Sequence, residues 1–292
     1  MIKINKVVKK TIYSINWTEL VLLILNSGIG LAITKYLGYE IKWVISAYFI
    51  LWIFCFYLGG RFIWQNPNMD FRGEDLIFHR LMTSVFQILA LLFFALSVAP
   101  LLRILVVSFN NLLLSYLISI SCCWLLLRIL LEQKIQIFGL YESISAFVIC
   151  LVTPLIILNL NGIQNHEILL PISFFSFLQV ISFELFKDFF ELYKGKKKAE
   201  FSSAYIGPYS ILKIISGLII IGYVACVSQL FLQDRIHLFY SLGFTLPMSL
   251  YFLHKINHIS SDLKKEENTL MPIAIAFILC MEIGWILGLW VS

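Results

Sequence analysis

Two short polar stretches stand out in a chain that is otherwise mostly apolar. The first, QNPNMDFRGEDLIFHR, covers residues 65–80 and concentrates carboxylate, amide and guanidinium groups between two long apolar runs. Asn66, Asp70 and Glu74 recur every four residues in it. On a helix, this spacing places the three side chains along one face, with a drift of about 40° per step. The spacing therefore predicts a set of oxygen ligands on one helix face.

The second stretch, FELFKDFFELYKGKKKAEFSSAYIG, covers residues 183–207 and shows the same kind of spacing. Glu184, Asp188 and Glu191 fall at i, i+4 and i+7, which again is one helix face. Glu184 and Asp188 lie where the preceding apolar run should still be partly within a bilayer. Ionised residues at that depth are expensive, so we expect them to face a polar cavity or a partner.

The residue types in the two stretches favour a cation and a phosphorylated ligand. Two sets of carboxylates that face each other repel unless a cation lies between them, and carboxylate oxygens together with phosphate oxygens are typical ligands of Mg²⁺. Arg72, Arg80, Lys187 and the basic run at 194–198 supply the positive charge that a diphosphate needs. The alternative is two solvated helix ends, but their shared helical spacing favours a site.

The elements that position these residues must be membrane-spanning helices. The chain has 292 residues, of which 60% are hydrophobic and 13% charged, and its mean hydropathy is +0.89. Soluble domains keep roughly a quarter of their residues charged, so the composition predicts an integral membrane protein whose surroundings are lipid. No basic stretch is interleaved with aromatic residues as in a nucleic-acid-binding surface, so a nucleic-acid partner is not expected.

Apolar runs of about 20 residues recur along the whole chain, and each is long enough to cross the hydrocarbon layer as a helix. We therefore predict one all-α membrane domain, residues 1–292, built as a bundle of about nine transmembrane helices. The predicted spans are 17–36, 43–64, 83–101, 104–128, 137–160, 168–188, 209–231, 236–254 and 270–290. Arg103 alone separates the third span from the fourth.

The distribution of Lys and Arg predicts the orientation of these spans. With a cytoplasmic N-terminus, sixteen of the 22 basic residues lie on the inner side and four on the outer side. The four outer residues are Lys35, Lys42, Arg103 and Arg235. Because inner loops are rich in Lys and Arg, this asymmetry favours a cytoplasmic N-terminus and places both polar stretches at the cytoplasmic face.

The two stretches resemble the signature motifs of the UbiA superfamily of intramembrane prenyltransferases. The first family motif has the form N-D-x-x-D-x-x-x-D with an R-P-L-x-S-G-like segment shortly after it. NPNMDFRGE (66–74) and RLMTS (80–84) are similar to these segments. The second family motif, E-x-x-K-D-x-x-D-x-x-G-D, is similar to ELFKDFFELYKG (184–195). The resemblance covers about forty residues in motif and nearly the whole chain in topology.

The resemblance implies a Mg²⁺-dependent transfer of a prenyl group from a polyprenyl diphosphate to a lipophilic acceptor such as an aromatic quinone precursor. It implies a bacterial inner-membrane enzyme with a cytoplasmic active face. Asp70 and Asp188 would be the catalytic residues, and Arg72, Arg80 and Lys187 would bind the diphosphate. The implied metal ligands are Asn66, Asp70, Glu74, Asp188 and Glu191.

The chain departs from the family pattern at several motif positions. Pro67 and Gly195 each replace an acid and remove a ligand, while Glu74 and Glu191 replace aspartates and keep the charge. A second hypothesis follows from these losses, namely a catalytically degenerate member that binds lipid or prenyl diphosphate without turnover. A small-solute transporter ranks third, because the sequence shows no inverted repeat and no matched pair of broken helices.

One acid lies apart from both motifs. Glu282 falls toward the middle of the ninth predicted span. A carboxyl group at that depth is expected to face a cavity or to form a hydrogen bond with a neighbouring helix.

Overall fold

The structure, a computed structural model, describes residues 17–64, 75–107, 140–163, 167–193, 208–259 and 263–292. All regular secondary structure in these ranges is helical, which confirms the predicted all-α class. The α-helices are α1 (Trp17–Tyr36), α2 (Trp43–Trp64), α3 (Asp75–Val107), α4 (Leu140–Phe147), α5 (Thr153–Leu160), α6 (Leu169–Tyr193), α7 (Pro208–Leu232), α8 (Phe239–Asn257) and α9 (Leu263–Val291). A π-helical turn, Val148–Val152, joins α4 to α5, and a 3₁₀ turn, Ile236–Leu238, precedes α8.

Seven helical stretches among the described residues are long and apolar enough to cross a membrane. They lie in α1, α2, α3, the continuous α4–π–α5 segment, α6, α7 and α9, and so coincide with seven of the predicted spans. The chain thus has the helices of an integral membrane protein. Most of the predicted fourth span lies in residues 108–139, outside the described residues.

The predicted boundary between the third and fourth spans differs from the structure. We expected the third span to end at residue 101, but α3 continues through Arg103 to Val107. Arginine is a good helix former, so the charge marks the end of the apolar stretch, Ser84–Ile104, without ending the helix. Pro100 is also accommodated inside α3.

The chain divides into two compact units, residues 1–21 with 42–117 and residues 22–41 with 118–292. In the first unit, α2 packs along α3 through aromatic rings. The Phe56 ring lies 5.5 Å from Trp52 and 5.6 Å from Phe94, measured between centroids. At the start of α1, the Tyr57 hydroxyl of α2 donates a 2.8 Å hydrogen bond to the buried carboxylate of Glu19.

In the second unit, small residues bring α8 and α9 into close contact. α9 carries Gly284 and Gly288 in a G-x-x-x-G arrangement, and α8 presents Ser241 and Thr245 at the same spacing. A Cβ atom on Gly284 would lie 2.8 Å from the Thr245 methyl carbon, and one on Gly288 would overlap the Ser241 hydroxyl. Such small-residue faces are typical of helices that pack in membranes, where close approach supplies the attraction.

α8 is the least apolar of the long helices and is not among the seven stretches, although it corresponds to the eighth predicted span. It packs against both α7 and α9 and is joined to α7 by a connection of a few residues. With 19 residues, α8 is about 29 Å long, close to the thickness of the hydrocarbon layer. α8 thus has nearly the length of the hydrocarbon layer and lies beside two of the seven apolar helices.

The ends of three helices in the second unit have the same cap. Gly38 after α1, Gly162 after α5 and Asp234 after α7 all have positive φ angles. In each case the following amide bonds back five residues, as in Tyr39 N–H to Thr34 O, which is the Schellman arrangement. These caps satisfy helix-end carbonyls that would otherwise lack partners.

The π-helical turn follows from local chemistry at the start of α5. Pro154 has no amide hydrogen and its ring crowds the carbonyl one turn earlier, so the regular hydrogen-bond ladder cannot continue. The Thr153 backbone N–H and hydroxyl both donate to Val148 O instead. Gly30 of α1 lies against this segment, where a Cβ atom would come within 2.9 Å of Pro154 O.

We predict that Gly288→Ala destabilises the second unit, because the added methyl group meets Ser241 on α8. Overpacking of this kind costs about 1–3 kcal/mol. Thermal denaturation of the purified protein in detergent should show a lower Tm. Gly243→Ala is the matched control, because a Cβ atom there meets no atom within 4 Å. An unchanged Tm for Gly288→Ala would contradict the α8–α9 packing described here.

Candidate functional site

The second polar stretch lies at the end of a long helix, as its spacing predicts. α6 runs from Leu169 to Tyr193 and therefore carries Glu184, Asp188 and Glu191 on successive turns. The apolar part of α6, Leu169–Lys187, includes Glu184 and ends at Lys187. The motif thus begins inside the apolar stretch and continues past it.

Aromatic contacts fix the rotation of this end of α6. The Phe186 ring contacts Phe190 one turn later and Phe252 of α8, each at 5.1 Å between centroids. Phe252 in turn stacks on Phe277 of α9 at 4.9 Å. At about 100° per residue, Phe186 lies roughly 200° around the helix from Glu184. The aromatic anchors therefore hold the face opposite to the one that carries the acids.

Glu184 is a buried carboxylate with a cationic partner. The residue is 4% exposed, and its Oε2 atom lies 2.8 Å from Lys187 Nζ one turn later. We expected an acid at this depth to have a partner, and the ion pair confirms it. Lys187, predicted as a diphosphate ligand, thus donates to Glu184 while its own side chain is partly exposed.

Most of the predicted site residues fall on parts that the structure does not describe. Asn66, Asp70, Arg72 and Glu74 lie outside the described residues. Arg80 lies in helix α3, and Asp188 and Glu191 lie in helix α6, but the side chains of these three are also outside the described part. Among the side chains that are described, no group of three or more His, Cys, Asp or Glu is placed to hold a metal ion.

Glu282 forms a second buried polar site, in the interior of the second unit. The residue is fully buried in α9, and its Oε2 atom lies 3.5 Å from the Ser176 hydroxyl of α6. Asn26 of α1 lies beside the carboxyl group and donates its own amide to Leu22 O. The expected hydrogen bond to a neighbouring helix is therefore confirmed.

Two further polar contacts between helices were not predicted from the sequence. Gln179 of α6 donates to the backbone oxygen of Ile219 in α7 at 3.3 Å, and a Cβ atom on Gly222 would lie 2.6 Å from the same amide nitrogen. The Tyr223 hydroxyl is hydrogen-bonded to Thr245 at 2.8 Å and to Ser249 at 2.6 Å. Glutamine and hydroxyl groups inside apolar spans are the signal that would have found them.

Comparisons of the chain with protein-family models, with characterised proteins and with solved structures gave no match.

We predict that Lys187→Met destabilises the protein, because it leaves the buried Glu184 carboxylate without this cation. Removing one partner of a largely buried ion pair costs on the order of 2 kcal/mol when the other partner is partly exposed. Denaturation in detergent should show the loss, and Glu184→Gln in the same chain should restore much of it. Lys213→Met, at an exposed lysine on α7, is the control. Equal effects of Lys187→Met and Lys213→Met would contradict the pairing.

Proposed function

We propose that the protein is a Mg²⁺-dependent membrane prenyltransferase of the UbiA type. It would transfer a prenyl group from a polyprenyl diphosphate to a lipophilic acceptor, such as an aromatic quinone precursor. The observation that best supports the proposal is the setting of the second motif. This motif begins inside an apolar stretch of α6 with a buried carboxylate, and an aromatic cluster fixes the helix behind it.

The donor set fits a hard divalent cation. Asp70, Glu74, Asp188 and Glu191 offer carboxylate oxygens and Asn66 an amide oxygen, which are the ligand types that Mg²⁺ prefers. When bound, the metal ion would neutralise charge on the departing diphosphate. In this proposal Asp70 and Asp188 contribute most, because they retain the aspartates of the family pattern.

The basic residues of the motifs would bind the diphosphate oxygens. Arg72 and Arg80 offer planar guanidinium groups that can donate two parallel hydrogen bonds. Lys187 already donates to Glu184, but an ammonium group has three N–H donors. It can therefore hold the carboxylate and a phosphate oxygen at the same time, and the ion pair would keep it in position before substrate binds.

The proposed topology has nine spans, a cytoplasmic N-terminus, an outer C-terminus and a cytoplasmic active face, in a bacterial inner membrane. The seven apolar helical stretches support it, as does α8, whose length and neighbours suit a further span. The fourth predicted span, 104–128, completes the proposed count of nine, and most of it lies outside the described residues. The excess of Lys and Arg in the loops assigned to the inner side supports the cytoplasmic position of the N-terminus.

A second candidate function is binding of lipid or prenyl diphosphate without turnover. The replacement of two motif acids by Pro67 and Gly195 favours it, because each change removes a metal ligand. The two candidates differ in one measurable respect. Both predict stabilisation by prenyl diphosphate with Mg²⁺, but only the first predicts product.

We predict that a reporter fused after Ser292 lies outside the cytoplasm, because an odd number of spans follows a cytoplasmic N-terminus. Alkaline phosphatase fused there should be active in bacterial cells, whereas green fluorescent protein at the same position should not fluoresce. The opposite pair of results would contradict the nine-span topology and, with it, the cytoplasmic placement of one or both motifs.

We predict that purified protein with Mg²⁺ transfers radiolabel from farnesyl or geranylgeranyl diphosphate to a quinone precursor. Asp70→Ala and Asp188→Ala should each reduce the rate roughly 100-fold or more, since each removes charge stabilisation of the leaving group. Thin-layer separation of labelled lipid products measures the rate across a panel of acceptors.

Glu40→Ala is the matched control, since it removes an exposed acid outside both motifs. Transfer that survives in both aspartate variants would refute the assignment of the metal site. Mg²⁺-dependent thermal stabilisation by the diphosphate, without product for any acceptor, would select the second candidate function.

A further inference from the structure

A groove lies between three helical segments of the second unit. It has a volume of about 410 Å³, which is within the range of sites that hold small molecules. Leu151 of the π-helical turn, Phe174 of α6 and Ala225 of α7 are among the residues that line it. The groove is therefore formed by the packing of α6 against α7 and the α4–α5 segment.

Three phenylalanine rings form the apolar part of the groove. Phe174 and Phe177 lie one turn apart on α6, with ring centroids 6.5 Å apart and ring planes 29° from parallel. Phe147 lines the groove from the end of α4. Phe147 is 44% exposed and Phe174 is 46% exposed, so the groove is open at the surface of the second unit. In apolar spans such a surface is accessible to lipid chains.

Ser173 places a buried hydroxyl group at this groove. The residue is 1% exposed, and its Oγ atom has no hydrogen-bond partner among the described residues. On the same helix, Ser176 donates to Glu282 and Ser182 donates to Leu178 O. Because a buried hydroxyl group without a partner is costly, Ser173 is suited to a ligand that supplies an acceptor.

Gln229 adds a second hydrogen-bonding group, from α7. Its side chain is exposed and lines the same groove. The start of α6 and the end of α7 lie side by side at this level, since the Gln233 amide donates a 3.2 Å hydrogen bond to Glu167 O. Two helices thus each present a hydrogen-bond donor to the groove.

These two polar groups lie at similar depths in their apolar stretches. At 1.5 Å per residue, Ser173 lies about 6 Å from Leu169, where the apolar stretch of α6 begins. Gln229 lies about 4.5 Å from Leu232, where the apolar stretch of α7 ends. Phe177 lies deeper, about 12 Å from Leu169. The groove is therefore polar near the edge of the hydrocarbon layer and aromatic further in.

This arrangement fits a glycerolipid that is bound through its ester groups. The ester groups of a glycerolipid lie where hydrocarbon meets the headgroups, and a carbonyl oxygen accepts hydrogen bonds from a hydroxyl or an amide group. Its acyl chain extends from there into the hydrocarbon, toward the level of the deeper phenylalanine rings. No charged side chain is among the described residues that line the groove, so these residues select for the ester and the chain and not for the charge of the headgroup.

We propose that the groove binds a glycerolipid, whose ester carbonyls accept hydrogen bonds from Ser173 and Gln229. One acyl chain lies against the rings of Phe174 and Phe177. The site is additional to the proposed prenyl transfer and does not depend on it.

The proposal is tested by native mass spectrometry of the full chain in a neutral detergent. The probes are dioleoyl phosphatidylcholine and a diether phosphatidylcholine with chains of the same length, which lacks the two carbonyl groups. The ester lipid should bind the wild-type protein roughly five-fold or more tightly than the ether lipid, the effect of about one net hydrogen bond. Ser173→Ala and Gln229→Leu should each lower this ratio, and the double variant should bring it to about one.

Ser182→Ala is the matched control on α6, because this hydroxyl group is bonded to Leu178 O and is not among the described residues that line the groove. It should leave the ratio within about two-fold of wild type. Ala225→Phe should fill the groove and weaken the binding of both lipids. Val224→Phe, at a neighbouring residue that is 64% exposed, should leave both affinities unchanged.

The proposal is overturned if the wild-type protein binds the two lipids equally, or if Ser173→Ala keeps the full preference for the ester lipid. It is also overturned if Ala225→Phe binds both lipids as tightly as wild type does. Circular dichroism of each variant establishes that the fold is retained.

Discussion

In α6, buried polar side chains lie among helices whose outer faces are apolar, and each must find its partner inside the protein because hydrocarbon supplies none. Glu184 has Lys187, Ser176 has Glu282, and Gln179 has the Ile219 carbonyl. The Glu184–Lys187 pair lies within α6, whereas the other two contacts join α6 to α9 and α7. A rotation of α6 by one residue would move Ser176 and Gln179 off their partners at once, so their combined requirement fixes the helix in one orientation.

Close packing makes these polar contacts possible. Helices in lipid gain little from hydrophobic burial against one another, so they depend on van der Waals contact between closely spaced backbones. Close packing and the satisfaction of buried polar groups are coupled at Gly222. The space that its missing side chain leaves is occupied by the Gln179 amide group. Gly284 and Gly288 leave similar space for Thr245 and Ser241. An alanine in any of these places would separate the helices and weaken the polar contacts with them.

The sequence predicted those features of the fold that depend on the local pattern of residues. Apolar runs located the helices, and the depth of Glu184 and Glu282 predicted that both would have partners. The prediction of a span boundary was wrong, because a charged residue can end an apolar stretch and still continue a helix. The charge of Arg103 predicts a boundary between two spans, yet arginine is a good helix former and α3 continues through it to Val107. The contact of Tyr223 with Thr245 and Ser249 depends on which faces of α7 and α8 meet, and no pattern within either helix specifies that.

Three basic residues near the ends of apolar stretches, Lys35, Lys187 and Arg235, each contact another group of the protein. A lysine or arginine at the end of an apolar stretch lies close to hydrocarbon, so a contact with another group of the protein is favourable there. The contact of Lys35 with the Trp290 ring is worth about 0.5–1 kcal/mol at an exposed position, and Arg235 has the Tyr36 hydroxyl. At the end of α6, the Lys187 ammonium group forms an ion pair with the Glu184 carboxylate. In each of these three cases a group of the protein holds the cation, so a local contact offsets the cost of placing a charge beside an apolar stretch.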